Sequence, residues 1–491
     1  MKYGDFPKIT SLSGVAGFRA HLAELGIDMP CDDIVAGGPD SPLAAPLDVD
    51  GMRIGNRFAI HPMEGWDGTR EGAPTENTER RWRRFGESGA KLIFGGEAVA
   101  VRQDGRANPL QLVMSAQTQG AIARLRETVI AAHTQAAGSA DGLVIGLQLT
   151  HSGRFCKPND NRRFEQMILY RHPVLDRKFG IPAEYPVMSD DDIFRLIDDY
   201  IAAARRAEAC GYDFVDLKHC HGYLGHEFLS AKTRPGPFGG PIENRTRFLR
   251  ELVAGIRAAC PRLKLAMRVS AIDLIAYRPD PERSLPGALG PGVPDDAAGA
   301  LPYRYGFGTD AADPTAYDLS ETFALLDIVG DLGIRLVNVT LGSPYYNPHL
   351  TRPASYPPSD GYHPPEDPLI GVMRHLDVVR ALKAHSPEMT LLGSGYTYLQ
   401  EYLPNVAQAV VRQGWTDLVG LGRMVLSYPD LPLDVLSGRG MQKKKICRTF
   451  SDCTTAPRNG IVSGCYPLDG FYKQSAEFKQ LAAIKKAAKS A

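Results

Sequence analysis

One short apolar run, Val215-Asp216-Leu217, passes directly into Lys218-His219-Cys220-His221-Gly222-Tyr223. An amine, imidazoles and a phenol gathered there could hold a carbonyl, polarise it and hand over a proton. The plainer reading is that they are turn residues. It suits a lone histidine better than four polar side chains at one strand end. A second run, Leu418-Val419-Gly420-Leu421-Gly422-Arg423, ends in glycines and one arginine. Bare backbone N–H groups beside a guanidinium suit a phosphate. Gly393-Ser394-Gly395 offers the same chemistry, but Tyr398 stands where a third glycine would complete a dinucleotide fingerprint, so that reading is rejected. Arg268, inside Ala266-Met267-Arg268-Val269-Ser270, needs an anion or acceptor if it faces an interior. A ring that becomes negative on reduction would serve, and so would an internal salt bridge. Gln148 offers a donor and an acceptor to a ring with alternating carbonyl and N–H groups.

These positions need elements that bring them together. Eight short, nearly all-apolar runs lie at 57–63, 91–94, 143–149, 212–217, 263–269, 335–339, 390–392 and 417–419. Runs of this kind mark strands covered on both faces. Helical patterns lie between them. Ser189 to Asp192 reads as a capping-box start, and Gly211 as the stop of the same helix. Strand-then-helix units in this number predict an α/β fold of the (β/α)8 TIM-barrel type, with a doubly wound open sheet as the alternative. In such a barrel the site lies at the carboxyl ends of the strands. Residues 1–41 form an N-terminal extension with a helical pattern from Val15 to Leu25, residues 42–440 the barrel, and residues 441–491 a cysteine-containing segment and tail helix. Two long loops, 274–317 and 343–368, follow the fifth and sixth strands and so overhang the presumed mouth. Residues 280–300 also suit a surface insertion.

Lys plus Arg and Asp plus Glu are both 56 in the 491 residues, which gives no electrostatic reason to expect nucleic acid or an anionic membrane as partner. No apolar run approaches the ~18 residues of a spanning helix. Met1 to Phe6 lacks the apolar core of a signal peptide, so a cytoplasmic protein acting on a small molecule is expected. Cys447, Cys453 and Cys465 cluster along the chain, while Cys31, Cys156, Cys210, Cys220 and Cys260 are isolated. In a cytosolic setting a cluster suggests metal rather than disulfides.

Gly55-Asn56-Arg57-Phe58, His221-Gly222-Tyr223-Leu224, Phe238-Gly239-Gly240, Glu243-Asn244-Arg245 and Val419 to Arg423 followed by Pro429-Asp430-Leu431-Pro432 occur in order. In these the chain resembles the old yellow enzyme family of FMN-dependent ene-reductases (NADH:flavin oxidoreductases). It is most similar to the branch containing 2,4-dienoyl-CoA reductase and trimethylamine dehydrogenase. The resemblance implies FMN across the barrel mouth, with Met63, Glu64, Ala98, Gln148 and Arg268 around its ring and Gly395, Gly422 and Arg423 at its phosphate. It implies Tyr223 as proton donor, and His221 with Lys218 at the substrate carbonyl. It implies NAD(P)H as reductant and ping-pong turnover, and it is the ground for expecting a homo-oligomer.

Three departures qualify this. Lys218 stands where ene-reductases carry His or Asn. Glu64 stands where relatives carry Thr or Cys, and a carboxylate there would oppose reduction. Phe450 stands where one of four cysteines of a [4Fe–4S] cluster belongs, so the cluster is expected to be absent; metal held by Cys447, Cys453 and Cys465 is the alternative. The C-terminal FAD and pyridine-nucleotide module of that branch is also expected to be missing. Two other activities fit parts of the pattern. One is a flavin-dependent amine dehydrogenase or demethylase, with Tyr345 and Tyr346 lining a cation pocket. The other is a Schiff-base lyase using Lys218.

Overall fold

The computed structural model describes residues 6–285 and 289–490, with the side chains of 488–490 left aside. Eight parallel strands close into a barrel: β1 (Phe58–Ile60), β2 (Leu92–Ala100), β3 (Val144–Thr150), β4 (Phe214–His219), β5 (Lys264–Ser270), β6 (Leu336–Thr340), β7 (Thr390–Gly393) and β8 (Leu418–Leu421). Each pairs with the next, and β8 pairs with β1 through Val419 opposite Phe58. β2, β3 and β4 are buried along their whole length, because helices cover the outside and side chains fill the inside. The helices following the strands are α1 (Glu76–Glu87), α2 (Gln119–Ala137), α3 (Asp190–Ala209), α4 (Arg247–Ala259), α5 (Ser320–Asp331), α6 (Pro368–His385), α7 (Leu403–Arg412) and α8 (Arg423–Ser427). The capping box of α3 is formed by Ser189 and Asp192, and Gly211 beyond its end has φ 82°.

Two strands differ from the sequence reading. The first ends at Ile60, and His61, Pro62 and Met63 leave the sheet. The second continues past Phe94 to Ala100 through a break in register between Gly95 and Ala98. Both Gly95 and Gly96 have positive φ there, and a Cβ on Gly96 would strike the Trp82 ring. The bulge sets Ala98 beside Gln148 of β3 and turns the Gly96 carbonyl to accept from Met63 N–H at 3.0 Å.

The loop after β5 is not a loose insertion along its described length. Tyr277–Pro279 pairs with Gly292–Pro294 as an antiparallel hairpin; residues 286–288 of the suggested insertion lie outside the described residues. The loop after β6 is fastened to the C-terminal segment, as Ser451 Oγ donates to the Tyr356 carbonyl at 2.6 Å. That segment folds back over the barrel mouth, where Ser463 N–H donates to the Gly65 carbonyl at 2.8 Å. At the other end of the chain, the helix Gly14–Glu24 stacks Phe18 on Tyr402 with ring centroids 4.3 Å apart. Among the described residues no helix is long and apolar enough to cross a membrane.

Candidate active site

A cavity of about 470 Å³ opens at the carboxyl ends of the strands, within the usual range for small-molecule sites. Every residue singled out from the sequence for the reaction or for cofactor contact lines it: Met63, Glu64, Ala98, Gln148, Lys218, His221, Tyr223, Arg268, Gly395, Gly422 and Arg423. Register explains the convergence. Ala98, Gln148 and Asp216 stand side by side on β2, β3 and β4, and one layer higher Lys218, Arg268 and Asn338 do so on β4, β5 and β6.

The β4 end is a packed set of titratable groups. Lys218 Nζ lies 3.6 Å from Glu64 Oε1 and 3.7 Å from the centroid of the Tyr223 ring. The Tyr223 hydroxyl meets Tyr345 Oη at 2.8 Å and donates to Glu64 Oε1 at 3.4 Å. Burial lowers the Lys218 pKa and raises that of Glu64, with their mutual attraction opposing both shifts. Burial also holds the Tyr223 phenol well above its usual range, so it stays protonated. His221 is kept neutral by burial and by Arg268. Its backbone sits at φ 68°, a region few non-glycine residues adopt. Two bonds fix it there: His221 N–H donates to Ser270 Oγ at 2.9 Å, and Ser343 Oγ donates to the His221 carbonyl at 2.7 Å. His221 Nε2 is buried with no hydrogen-bond partner.

Arg268, 7% exposed, is in no ion pair among the described residues, and its Nε is a second buried orphan. The salt-bridge reading of Arg268 is therefore not what the fold adopts. The carboxyl that acts on it, Asp216, accepts from Gln148 Nε2, and burial pushes it up to about 7. At the far end of the cavity Gly395 has φ 95° and Gly422 opens α8. Among the described residues the Arg423 guanidinium donates only to the Pro353 carbonyl, at 2.9 Å. Two guanidinium groups without a carboxylate partner among the described residues, Gln148 and bare glycines fit FMN: Gln148 and Arg268 would meet its ring, and Gly395, Gly422 and Arg423 its phosphate.

Two expectations change. Glu64 is not an isolated carboxylate beside the ring, since Lys218 and Tyr223 both engage it. Of the two loop tyrosines only Tyr345 lines the cavity; the Tyr346 hydroxyl donates to Asp273 at 2.8 Å. For the metal alternative at Cys447, Cys453 and Cys465, the three thiols lie near enough to act on one another, but among the described residues no group of three or more His, Cys, Asp or Glu side chains is placed to hold a metal ion. Phe450 packs its ring 5.1 Å from that of Tyr356.

The sequence reading missed Arg352, Arg458 and Lys157, all of which line the cavity. They sit in loops or in the C-terminal segment, where no periodicity points inward. It also missed the buried pairing of Arg81 with Asp67 and Glu97, at 2.5 and 2.7 Å, beneath the turn that carries Glu64.

Comparison with known proteins agrees with this geometry. Residues 42–280 match the NADH:flavin oxidoreductase / NADH oxidase family. An NADPH dehydrogenase of Bacillus subtilis (strain 168) is 29% identical over 237 residues, which span 47% of this chain and 64% of that protein. An NADPH dehydrogenase of Clostridium acetobutylicum is 36% identical over 135 residues, 27% of this chain and 38% of that protein. The chain thus spans less than two thirds of the length of these relatives. Among solved structures, a 2-naphthoyl-CoA reductase complex superposes with TM-score 0.63 at 17% identity, covering 89% of this chain and 58% of that one. Histamine dehydrogenase from Rhizobium sp. 4-9 gives TM-score 0.61 at 20% identity, covering 86% and 51%. Morphinone reductase in complex with tetrahydroNAD gives 0.55 at 18%, covering 82% and 92%. At these identities the likeness shows the shared barrel fold.

Proposed function

We propose that this chain, whose residues 42–280 belong to the NADH:flavin oxidoreductase family, uses NAD(P)H to reduce an alkene conjugated to a carbonyl. The observation that carries this is one cavity holding a neutral histidine with a free Nε2, a phenol kept protonated and an unpaired buried guanidinium. FMN, held by Gln148, Arg268, Gly395, Gly422 and Arg423, would supply the hydride chemistry that links NAD(P)H to the alkene β-carbon. His221, as the Nε2–H tautomer, donates to the carbonyl oxygen and draws electron density from the alkene. Lys218 offers a second donor beside it. Tyr223 gives its proton to the α-carbon, and Tyr345 holds the phenol oxygen in place. The balance is NAD(P)H plus one proton plus alkene to NAD(P)+ plus alkane. Arg268 would hold the ring and offset negative charge there.

Amine oxidation is less well supported, because the Lys218 ammonium already occupies the reaction end and repels a cationic substrate. A Schiff-base role for Lys218 is opposed by its placement between Glu64 and the Tyr223 ring. Isotope placement tests the proposal. With NADPH deuterated at the transferred nicotinamide position, the label should appear on the β-carbon; in D2O it should appear on the α-carbon. Label at neither carbon, or alkene left unreduced by the FMN-loaded chain, contradicts it.

A further inference from the structure

The proposed cofactor does not account for all the positive charge in the cavity wall. Four lining cations, Lys157, Arg268, Arg352 and Arg423, have no carboxylate within ion-pair distance among the described residues. The flavin reading engages Arg268 at the ring and Arg423 at the phosphate. Arg352 and Lys157 remain.

Both lie around Arg458. Its Nη2 donates to the Pro344 carbonyl at 2.7 Å, one residue before Tyr345, and its other nitrogen is bound by Asp360. Arg352 leaves the loop after β6 and donates to Thr454 Oγ1 at 2.6 Å. Lys157 Nζ sits 4.1 Å from the centroid of the Phe164 ring. Phe164, Phe179 and Tyr345 add an apolar aromatic wall to the same cavity. The mouth therefore offers flat apolar surface beside the reaction end and unmatched positive charge beyond it. Burial together with repulsion from Arg458 and Arg423 pushes Arg352 down to about 9, and burial and Arg458 lower Lys157. Asp360, already bound to Arg458, and Asp160 oppose these shifts only in part, and neither forms an ion pair with Arg352 or Lys157 among the described residues.

We infer that Lys157 and Arg352, with Arg458, form an anion subsite, and that the alkene substrate carries a carboxylate or phosphate which docks there. This rests on the ene-reductase reading and deepens it. The phosphates of the nicotinamide dinucleotide have the same chemistry, and the test separates the two sources.

The test uses the full chain loaded with FMN, with benzoylacrylate and its methyl ester as alkenes and NADPH as reductant. Wild type should favour the acid over the ester by about tenfold or more in kcat/KM, the worth of one charge-assisted hydrogen bond. Lys157→Gln and Arg352→Gln should each lower that preference, while the ester rate and flavin reduction by NADPH stay unchanged. Arg352→Lys should restore it in part. Titration with the saturated acid, benzoylpropionate, reads binding through the flavin spectrum without turnover and should weaken in parallel. Equal handling of acid and ester by wild type overturns the subsite alone. So do variants that slow flavin reduction by NADPH and leave the acid-to-ester ratio intact, because the anion then belongs to the dinucleotide. A wild type that reduces neither alkene overturns the ene-reductase reading and the subsite with it.

Discussion

The ends of β4 and β8 both stop a buried strand at the same cavity, and they build their halves of it by opposite means. β4 ends in side chains, and each is held by a neighbour: Lys218 by Glu64, Tyr223 by Tyr345, and the His221 backbone by Ser270 and Ser343. β8 ends in two glycines, Gly420 and Gly422, on either side of the buried Leu421. A Cβ on Gly420 would collide with His61, and one on Gly422 would meet nothing nearer than Met63 Sδ at 3.9 Å. Proton transfer needs groups whose protonation is fixed by burial and partners. Phosphate needs exposed N–H groups and one cation. The first half should therefore fail in chemistry when altered, and the second in cofactor affinity.

The largest effect should follow Tyr223→Phe. Alkene reduction should fall by about 10²–10⁴-fold, the usual worth of a positioned acid, while stopped-flow reduction of the flavin by NADPH keeps its rate. If both half-reactions slow together, the division of labour between the strand ends is wrong. Lys218→Met should come next, because it leaves the Glu64 carboxylate buried without its partner. Breaking such a pair costs about 3 kcal/mol. Burial already raises the Glu64 pKa, and the variant raises it further, so the folded state binds a proton more readily than the unfolded chain. The loss should be full at pH 8 and shrink as pH falls toward the ordinary carboxylate range. A second change, Glu64→Gln, should recover most of it in a denaturant titration.

At the other end, Gly395→Ala puts a side chain at φ 95° with its Cβ 3.0 Å from the His375 ring. Strain of about 1–2 kcal/mol should weaken FMN binding by roughly tenfold, read by flavin fluorescence, with the turnover of FMN-saturated protein little changed. A last effect, on stability against pH rather than on turnover, concerns Asp216, whose carboxyl is pushed up to about 7 in the folded state. A raised carboxyl favours the fold when protonated, so stability should decline as pH rises from about 4 to about 7 and level off above that. Asp216→Asn should flatten that decline.

Much of this comparison could be read from the sequence, because both strand ends are abrupt. Apolar residues give way to Lys218-His219-Cys220-His221 at one and to Gly420-Leu421-Gly422-Arg423 at the other, and a closed parallel barrel leaves both facing its mouth. What escaped lies where periodicity gives no direction. Gly96 and Glu97 bulge out of β2, so the run that reads as a strand stops at Phe94 while the element continues to Ala100. Tyr345 and Tyr346 are neighbours in an irregular loop, and only the buried Asp273 carboxyl decides which of them turns away. Arg352, Thr454 and Arg458 meet because the C-terminal segment folds back on the loop after β6. A contact across that many residues leaves no local trace.

Anaerobic titration of the FMN-loaded protein with NADPH, followed by an enone, tests the central claim most directly. The flavin absorbance should bleach with one equivalent of NADPH and return in full when the enone is added. A protein that stays colourless after incubation with FMN and gel filtration, or a bound flavin that the enone cannot reoxidise, would contradict the account.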